Sequence, residues 1–361
     1  MIKININSKN LLSVLTPLQS VINPGHLMPI LQCVKIDIED KVISVVGDNT
    51  EVRCENTEKT TAAGSLSICV EFSLLFTVLK SLKEQDLGFE VDNVELKIIH
   101  NDGNFKIPLE SYQTFPGSKK EKLIKKAKFG STDFKNALKI ANKFVLNDDL
   151  SPTANLSIQV GEKTIIRSTN QVSLFQETIK GGGDEAQILL GGAASTAIQS
   201  LIQDGVDIKL KYNDSFVFFK IGSMKVMAVQ QTGQFPVKAF ETIMDSFKSA
   251  KKMKADYVKI LTAVKRVSSL SGKEKAPTMR WSVGDNNLVV TCKSLSTNSE
   301  VKENLSVKFK GEAVIGFNPK LIVEILNVFD IDSSFSINDK NCLCIQSGKK
   351  MGLIAPMLLD K

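Results

Sequence analysis

The segment SKNLLSVLTPLQSVI, residues 8–22, decides the fold. Its apolar side chains fall at Leu11, Leu15, Leu18 and Ile22. That is the spacing of one face of a helix, and Pro17 is expected to kink it or split off its first part as a separate turn. Moving 123 residues along the chain gives Phe134, Leu138, Ala141 and Val145, and moving 123 again gives Tyr257, Leu261, Val264 and Ser268. Eleven of these twelve positions are apolar or aromatic, so one helix recurs at a constant period. Ser8, Ser131 and Thr132 are the expected N-caps of the first two copies.

Working outward, each helix is followed by two alternating strand-like runs: CVKIDIE with VISVVGD, NLSIQV with TIIRST, and TMRWSV with NLVVTC. A polar crossover leads to a second helical stretch in each third, over 71–83, 191–203 and 317–329. More alternating runs close each unit, the first two ending in Phe115-Pro116 and Phe235-Pro236. The pattern reads β-α-βββ-α-βββ three times. Boundaries fall at the basic stretches KKEKLIKKAK (119–128) and KSAKKMKAD (248–256), read as solvated linkers, giving domains 1–122, 123–247 and 248–361. Two amphipathic helices per unit must cover one face of a sheet, so the fold class is α+β, an array of three two-helix, antiparallel-sheet domains.

Composition narrows the function. Of 361 residues, 42% are hydrophobic and 24% charged, ordinary for a folded soluble chain. No apolar run approaches the ~18 residues a membrane helix needs, and the N-terminus MIKININSKN has no signal-peptide core. A cytoplasmic location is expected. The six cysteines form no C-x-x-C and read as reduced core thiols, with Cys342 and Cys344 on one face of a strand. Only His26 and His100 are present, and no nucleotide-binding or nucleophile-elbow motif occurs. Gly181-Gly182-Gly183 runs into Asp184-Glu185, which would repel phosphate, and is read as a flexible turn. No catalytic residue, metal or cofactor is expected. The acidic pair Asp148-Asp149 is the one candidate for a rival metal-dependent enzyme, and it lacks a third ligand.

Charge is unevenly placed. The six helical spans 9–22, 71–83, 132–145, 191–203, 255–268 and 317–329 carry net +6 of the chain's +7. Lys135, Lys139 and Lys143 follow i, i+4, i+8 and form one stripe. Helices sharing one side of an array make that side a basic, acid-poor surface, the footprint of a polyanion. The expected phosphate contacts are Lys9, His26, Lys80, Lys135, Lys139, Lys143, Lys259, Lys265 and Arg266. No base-reading module appears, so contact with duplex DNA is expected to be sequence-independent.

Several local stretches match one family in order. Met28-Pro29-Ile30-Leu31 looks like its "LPIL", Asn147 to Pro152 like its second-domain loop, and Gly233-Gln234-Phe235-Pro236 like its "DG-[RK]-[FY]-P". Ile315-Gly316-Phe317-Asn318 looks like its "IGFN", and Ala355 to Leu359 like its "MPM-x-L" terminus. The chain resembles the bacterial-type DNA polymerase III beta subunit, the replicative sliding clamp. The resemblance implies a DNA-clamp fold closed into a ring as a head-to-tail homodimer, with helices lining the hole and no active site. It implies a processivity factor that tethers the replicative polymerase, with the clamp loader and other clamp-motif proteins as further partners. It places a partner-peptide pocket at Ala154, Thr169, Leu174, Pro236, Ile354, Ala355, Pro356, Met357, Leu358 and Leu359, with Phe240 nearby. It places a dimer interface at Phe105 and Ile107 against Ser269 and Leu270, with Ser269 polar where the family prefers an aliphatic residue. The alternative is a repeat-built protein scaffold that does not encircle DNA.

Overall fold

The computed structural model describes residues 2–62, 64–92, 94–119, 121–146, 154–269, 277–294 and 298–359. It holds seven helices: α1 (Ser8–Leu15), α2 (Phe72–Ser81), α3 (Ser131–Ala141), α4 (Gly192–Leu201), α5 (Val237–Asp245), α6 (Tyr257–Ser268) and α7 (Pro319–Leu326). The six helical spans expected from periodicity each overlap one of them, α1 and α3 starting one residue early. The exception is α5, a short helix started by Pro236 and pinned by Phe240, whose ring lies 5.1 Å from that of Phe235. Pro17 acts as expected: α1 stops at Leu15 and a 3-10 turn, Thr16–Ser20, takes over.

The helix starts differ from the sequence reading. Asn7, not Ser8, caps α1, its side-chain oxygen accepting from the Lys9 and Asn10 amides at 3.1 and 3.4 Å. Ser8 is buried and accepts instead from the Gln85 amide at 3.0 Å. Ser131 does the same one repeat later, accepting from the Val206 amide at 3.1 Å. These serines fasten the first helix of the first two copies to the loop that follows the second helix.

One element order occurs three times along the chain. Each copy opens with a strand (Ile2–Asn7, Lys125–Gly130, Lys251–Met253) and its first helix. A three-strand meander follows: Cys33–Glu39, Val42–Asp48 and Val52–Lys59, then Asn155–Val160, Thr164–Thr169 and Ser173–Ile179, then Met279–Gly284, Asn287–Ser294 and Ser299–Ser306. Next come a strand into the second helix (Leu66–Glu71, Ala186–Gly191, Ala313–Phe317) and three closing strands, the last being Gly103–Glu110, Met224–Val229 and Lys350–Ile354.

The contacts divide into two compact units. The first comprises Met1–Lys135, Val160–Glu162 and Lys180–Gln231. In it a 13-stranded antiparallel sheet runs from Ile2–Asn7 at one edge to Gly181–Gly183 at the other. Val52–Lys59 pairs there with Met224–Val229, Val52 opposite Ala228 and Glu55 opposite Lys225, whose side chains form a 2.9 Å ion pair. The second unit comprises Asn136–Gln159, Lys163–Ile179 and Thr232–Lys361. In it Ser173–Ile179 pairs with Lys350–Ile354, Ser173 opposite Ile354 and Leu174 opposite Leu353. A separate four-stranded sheet there has Ser299–Ser306 at its edge. Buried Trp281 and Phe317 meet edge to face at 5.2 Å beneath it.

Two sequence readings are corrected. The basic stretches are not wholly linkers. Lys125–Gly130 alternates exposed lysines with buried Ala127 and Phe129 and pairs with Asp207–Tyr212, while Lys251–Met253 pairs with Ser334–Ile337. Gly181-Gly182-Gly183 is no flexible turn but a strand antiparallel to Lys125–Gly130. A Cβ on Gly181, Gly182 or Gly183 would lie 2.4, 2.1 or 2.1 Å from the Lys128, Gly161 and Lys126 carbonyl oxygens. Backbone crowding, not mobility, requires the three glycines. Gly182→Ala is therefore expected to destabilise the chain by about 2 kcal/mol or more. Gly130→Ala, with nothing within 4 Å of the added carbon, should stay within about 0.5 kcal/mol. Urea titration of both variants checks this.

Candidate DNA and peptide surfaces

The candidate phosphate contacts differ in how free their charge is. Lys9 lies 3.2 Å from Glu84, Lys135 3.3 Å from Asp204 and Lys259 4.0 Å from Asp256. Arg266 on α6 grips Glu303 with two hydrogen bonds, at 2.7 and 2.8 Å. Those bonds hold the Glu303 carboxyl below the usual carboxylate range. Lys80 lies over the Phe76 ring, its ammonium 4.5 Å from the centroid. His26 spends Nδ1 accepting from the Met28 amide at 3.0 Å. Lys80, Lys139, Lys143 and Lys265 are exposed and make no ion pair among the described residues. The stripe on α3 and its 3-10 extension Asn142–Phe144 thus carries two unneutralised lysines, not three.

A groove of ≈ 180 Å³ lies in the second unit. Leu353 and Ile354 form its buried floor, Leu174 one wall, and exposed Val172 and Ile243 its rim. The wall is held by an Asn turn: Asn170 Oδ1 accepts from the Val172 and Ser173 amides at 3.2 and 2.7 Å. Gln171 at φ 74° makes the reversal. The Ala355 amide then donates to the Val172 carbonyl at 2.8 Å, holding the C-terminal segment against the wall. On the far side Asn338 donates to Ser246 at 3.1 Å and accepts from the Cys342 amide at 2.9 Å.

Of the ten pocket positions, Leu174, Ile354 and Ala355 line this groove. Ala154 and Thr169 are buried, Thr169 donating to the Ser173 carbonyl at 2.8 Å. Pro236 precedes α5. Pro356 is exposed, and Leu358 is 96% exposed. The Met357 amide donates to the Gly316 carbonyl at 2.8 Å, and Leu359 packs on Gly316. Phe240 is buried against Phe235 rather than in the groove. Sequence reasoning placed Val172 beside the pocket but missed Ile243 and Cys342. Ile243 is carried by the unexpected helix α5. Cys342 precedes the strand Leu343–Ser347 instead of lying on it, so it opens onto the groove while Cys344 is buried.

At the expected interface, Phe105 is half-buried and stacks on His100 at 5.1 Å. Ile107 is buried in its own unit. Ser269 donates its hydroxyl to the Arg266 carbonyl at 2.7 Å. Leu270, Asp148 and Asp149 lie outside the described residues. No group of three metal-ligating side chains occurs among the described residues. No described helix is long and apolar enough to cross a membrane.

Comparison with known proteins gives the same picture. Residues 2–119 match the family model "DNA polymerase III beta subunit, N-terminal domain", and residues 247–348 match its C-terminal domain. The beta sliding clamp of Streptococcus pneumoniae serotype 4 is 20% identical over 355 residues, covering 91% of this chain and 90% of that one. The DNA polymerase III subunit beta of Pseudomonas aeruginosa superposes with a TM-score of 0.88 at 17% identity, over 99% of this chain and 100% of that one. The Bartonella birtlesii sliding clamp bound to griselimycin gives 0.90 at 15% identity, with 99% and 100% covered. The repeated α+β order, the antiparallel sheets and these matches place the chain in the DNA polymerase III beta subunit family, the sliding clamps, which are processivity factors and not enzymes.

Proposed function

We propose that this chain is the processivity clamp of a replicative DNA polymerase: three domains, 1–122, 123–247 and 248–361, per copy, with two copies closed head to tail around duplex DNA in the cytoplasm. The observation that carries the ring is a repeated register. Where one copy of the motif meets the next, the first residue of the meander's third strand faces the fifth residue of the following copy's last strand: Val52 with Ala228, and Ser173 with Ile354. Two edges lack such a partner among the described residues, that of Ser299–Ser306 and the outer edge of Gly103–Pro108. Open edges seek strands. Applied once more between two molecules, the rule sets Ser299 opposite Ile107, Val301 opposite Phe105 and Glu300 opposite Lys106. A head-to-tail pair satisfies both edges twice and closes.

Inside such a ring, Lys80, Lys139, Lys143 and Lys265 act as point charges on phosphate. Lys9, Lys135, Lys259 and Arg266 contribute less, each sharing its charge with an acid, and His26 marks the same surface. Sequence-independent contact of this kind permits sliding. The groove at Leu174 and Ile354 receives apolar peptide segments of the polymerase, the loader and other clamp-binding proteins. The exposed terminal residues Pro356 and Leu358 fold over the bound peptide. A scaffold that does not encircle DNA is not favoured by the family match. It requires retention on nicked circular DNA to survive linearisation, whereas a ring slides off the ends.

Sedimentation is expected to give a mass near twice 39.6 kDa. Lys106→Glu should weaken the pair and Glu300→Lys should restore it in the double variant. A monomeric wild type defeats the register. Lys139→Ala with Lys143→Ala removes four lysines from a two-copy ring and should lower the salt-dependence slope of DNA retention by about 3.6, at roughly 0.9 for each phosphate left without its lysine. An unchanged slope removes those lysines from the DNA surface. Cys342 should be alkylated by iodoacetamide ahead of the five buried cysteines. Burial holds its thiol above the ordinary value, so the rate should be slow at neutral pH and climb as pH rises toward and past that value. A polymerase-derived clamp-binding peptide should protect it. Unprotected Cys342 with peptide bound places the peptide elsewhere.

A further inference from the structure

A second groove, of ≈ 1260 Å³, lies in the second unit around the opening strand Lys251–Met253 of the third copy. Its border carries Lys251, Lys252, Lys254, Lys308 and Lys310. All five are exposed, and none makes an ion pair among the described residues. The one acid at its edge, Asp256, is committed, capping the Lys259 amide of α6 at 3.1 Å. Lys254 and Lys308 face each other across an antiparallel bridge, with N···O distances of 2.9 and 2.7 Å. Like charges directly opposite on neighbouring strands are destabilising. Lys251 reaches over the same crossover, its ammonium 2.7 Å from where a Cβ on Gly311 would stand. The floor, by contrast, is apolar: Ala255, Val307 and Phe309.

The second copy shows what belongs there. Its opening strand, Lys125–Gly130, is paired on both sides, by Asp207–Tyr212 and by the glycine strand Gly181–Gly183. That glycine strand follows the meander as Val307–Lys310 does in the third copy. In the third copy the crossover makes one bridge, Lys254 with Lys308, and no ladder pair with Lys251–Met253 among the described residues. Lys251–Met253 is then paired on one side only, by Ser334–Ile337. The groove is a strand slot that the chain fills in the second copy only: the opening strand of the first copy, Ile2–Asn7, is likewise a sheet edge, and in the third copy five lysines surround the open side.

We propose that this slot binds an extended acidic peptide of a partner protein, added antiparallel to Lys251–Met253, with its carboxylates on the five lysines and its alternate apolar side chains on Val307 and Phe309. The open edge supplies the Lys252 N–H and C=O for main-chain hydrogen bonds, and alternation matches rim and floor to opposite faces of the incoming strand. Phosphate backbone would use the lysines but neither the edge nor the floor, and stacking bases would need an exposed aromatic, which Phe309 is not. The site is separate from the apolar groove and needs neither a ring nor DNA.

The test uses the full chain and a short fluorescein-labelled peptide alternating Glu and Val, with a Gln-for-Glu version and a duplex oligonucleotide as comparators. Saturable anisotropy is expected for the Glu peptide. Binding should weaken at least about tenfold with the Gln peptide, or in the variant Lys254→Ala/Lys308→Ala/Lys310→Ala. Hydrogen exchange should slow at the Lys252 amide, which faces the open side as the Lys254 amide does, when peptide is added. These are surface lysines, and unchanged far-UV circular dichroism keeps the comparison clean. Binding indifferent to the lysines, no saturable binding, or binding without amide protection overturns the proposal. So does lysine-dependent binding of the duplex with none of the peptide, which would assign the slot to nucleic acid.

Discussion

Backbone edges left by one copy of a repeated motif must be met by the next, and the rest of the molecule follows from how that is done. Both junctions within the chain use one register although their side chains differ. Arg53 faces Met227 where Leu174 faces Leu353. Hairpin length sets the register. The last strand starts after a two-residue turn in every copy, and the meander's third strand after a short Asn-capped turn in the first two. Side chains are then free to diverge at equivalent places without disturbing the pairing.

That freedom produced the apolar groove. In the first copy the slot is plugged. Arg53 donates to Asp48 at 3.0 Å and to the Pro116 carbonyl at 2.7 Å, and lies 5.7 Å from the Phe115 ring. In the second copy Asp48 and Arg53 are replaced by Thr169 and Leu174, which face each other in the same register. No ion pair spans the slot there. Thr169 turns its hydroxyl into its own loop, and Leu174 is left as an apolar wall. A hydrogen-bonded plug and an open apolar cleft are thus two fillings of one backbone frame.

What was legible in the sequence was periodic. Stripes at 3.6 residues and alternation at 2 survive 123-residue spacing because they report burial, and burial repeats with the motif. What was not legible depended on closeness in space. Gly181–Gly183 reads as a turn until the Lys126, Lys128 and Gly161 carbonyls are set against it. The strand at Lys125–Gly130 is hidden by its lysines, though Ala127 and Phe129 already alternate with them. Helix α5 is too short for a periodic signal, and with it went Ile243. Of the pocket positions that line the groove, Leu174 and Ile354 sit on strands that pair with each other, and Ala355 follows, held by its amide on the Val172 carbonyl. The terminal positions Met357 and Leu359 are drawn instead onto Gly316.

Charge shows the same division most sharply. Counting along helices assigns nearly all of the net charge to them and almost none to the remaining chain. A sum cannot tell a lysine beside an acid from a lysine alone. Lys135 meets Asp204, 69 residues away, and Arg266 meets Glu303, 37 residues away, so part of the helical excess is locally cancelled. Outside the helices the near-zero balance conceals the opposite case. Lys251, Lys252, Lys254, Lys308 and Lys310 converge on one groove, while the acids that cancel them in the sum lie elsewhere. An unscreened lysine cluster keeps its field over about a Debye length, whereas a paired lysine loses most of it within a few ångströms. Where this chain can hold an anion is therefore decided by which lysines the fold leaves without an acid, and only the folded arrangement supplies that.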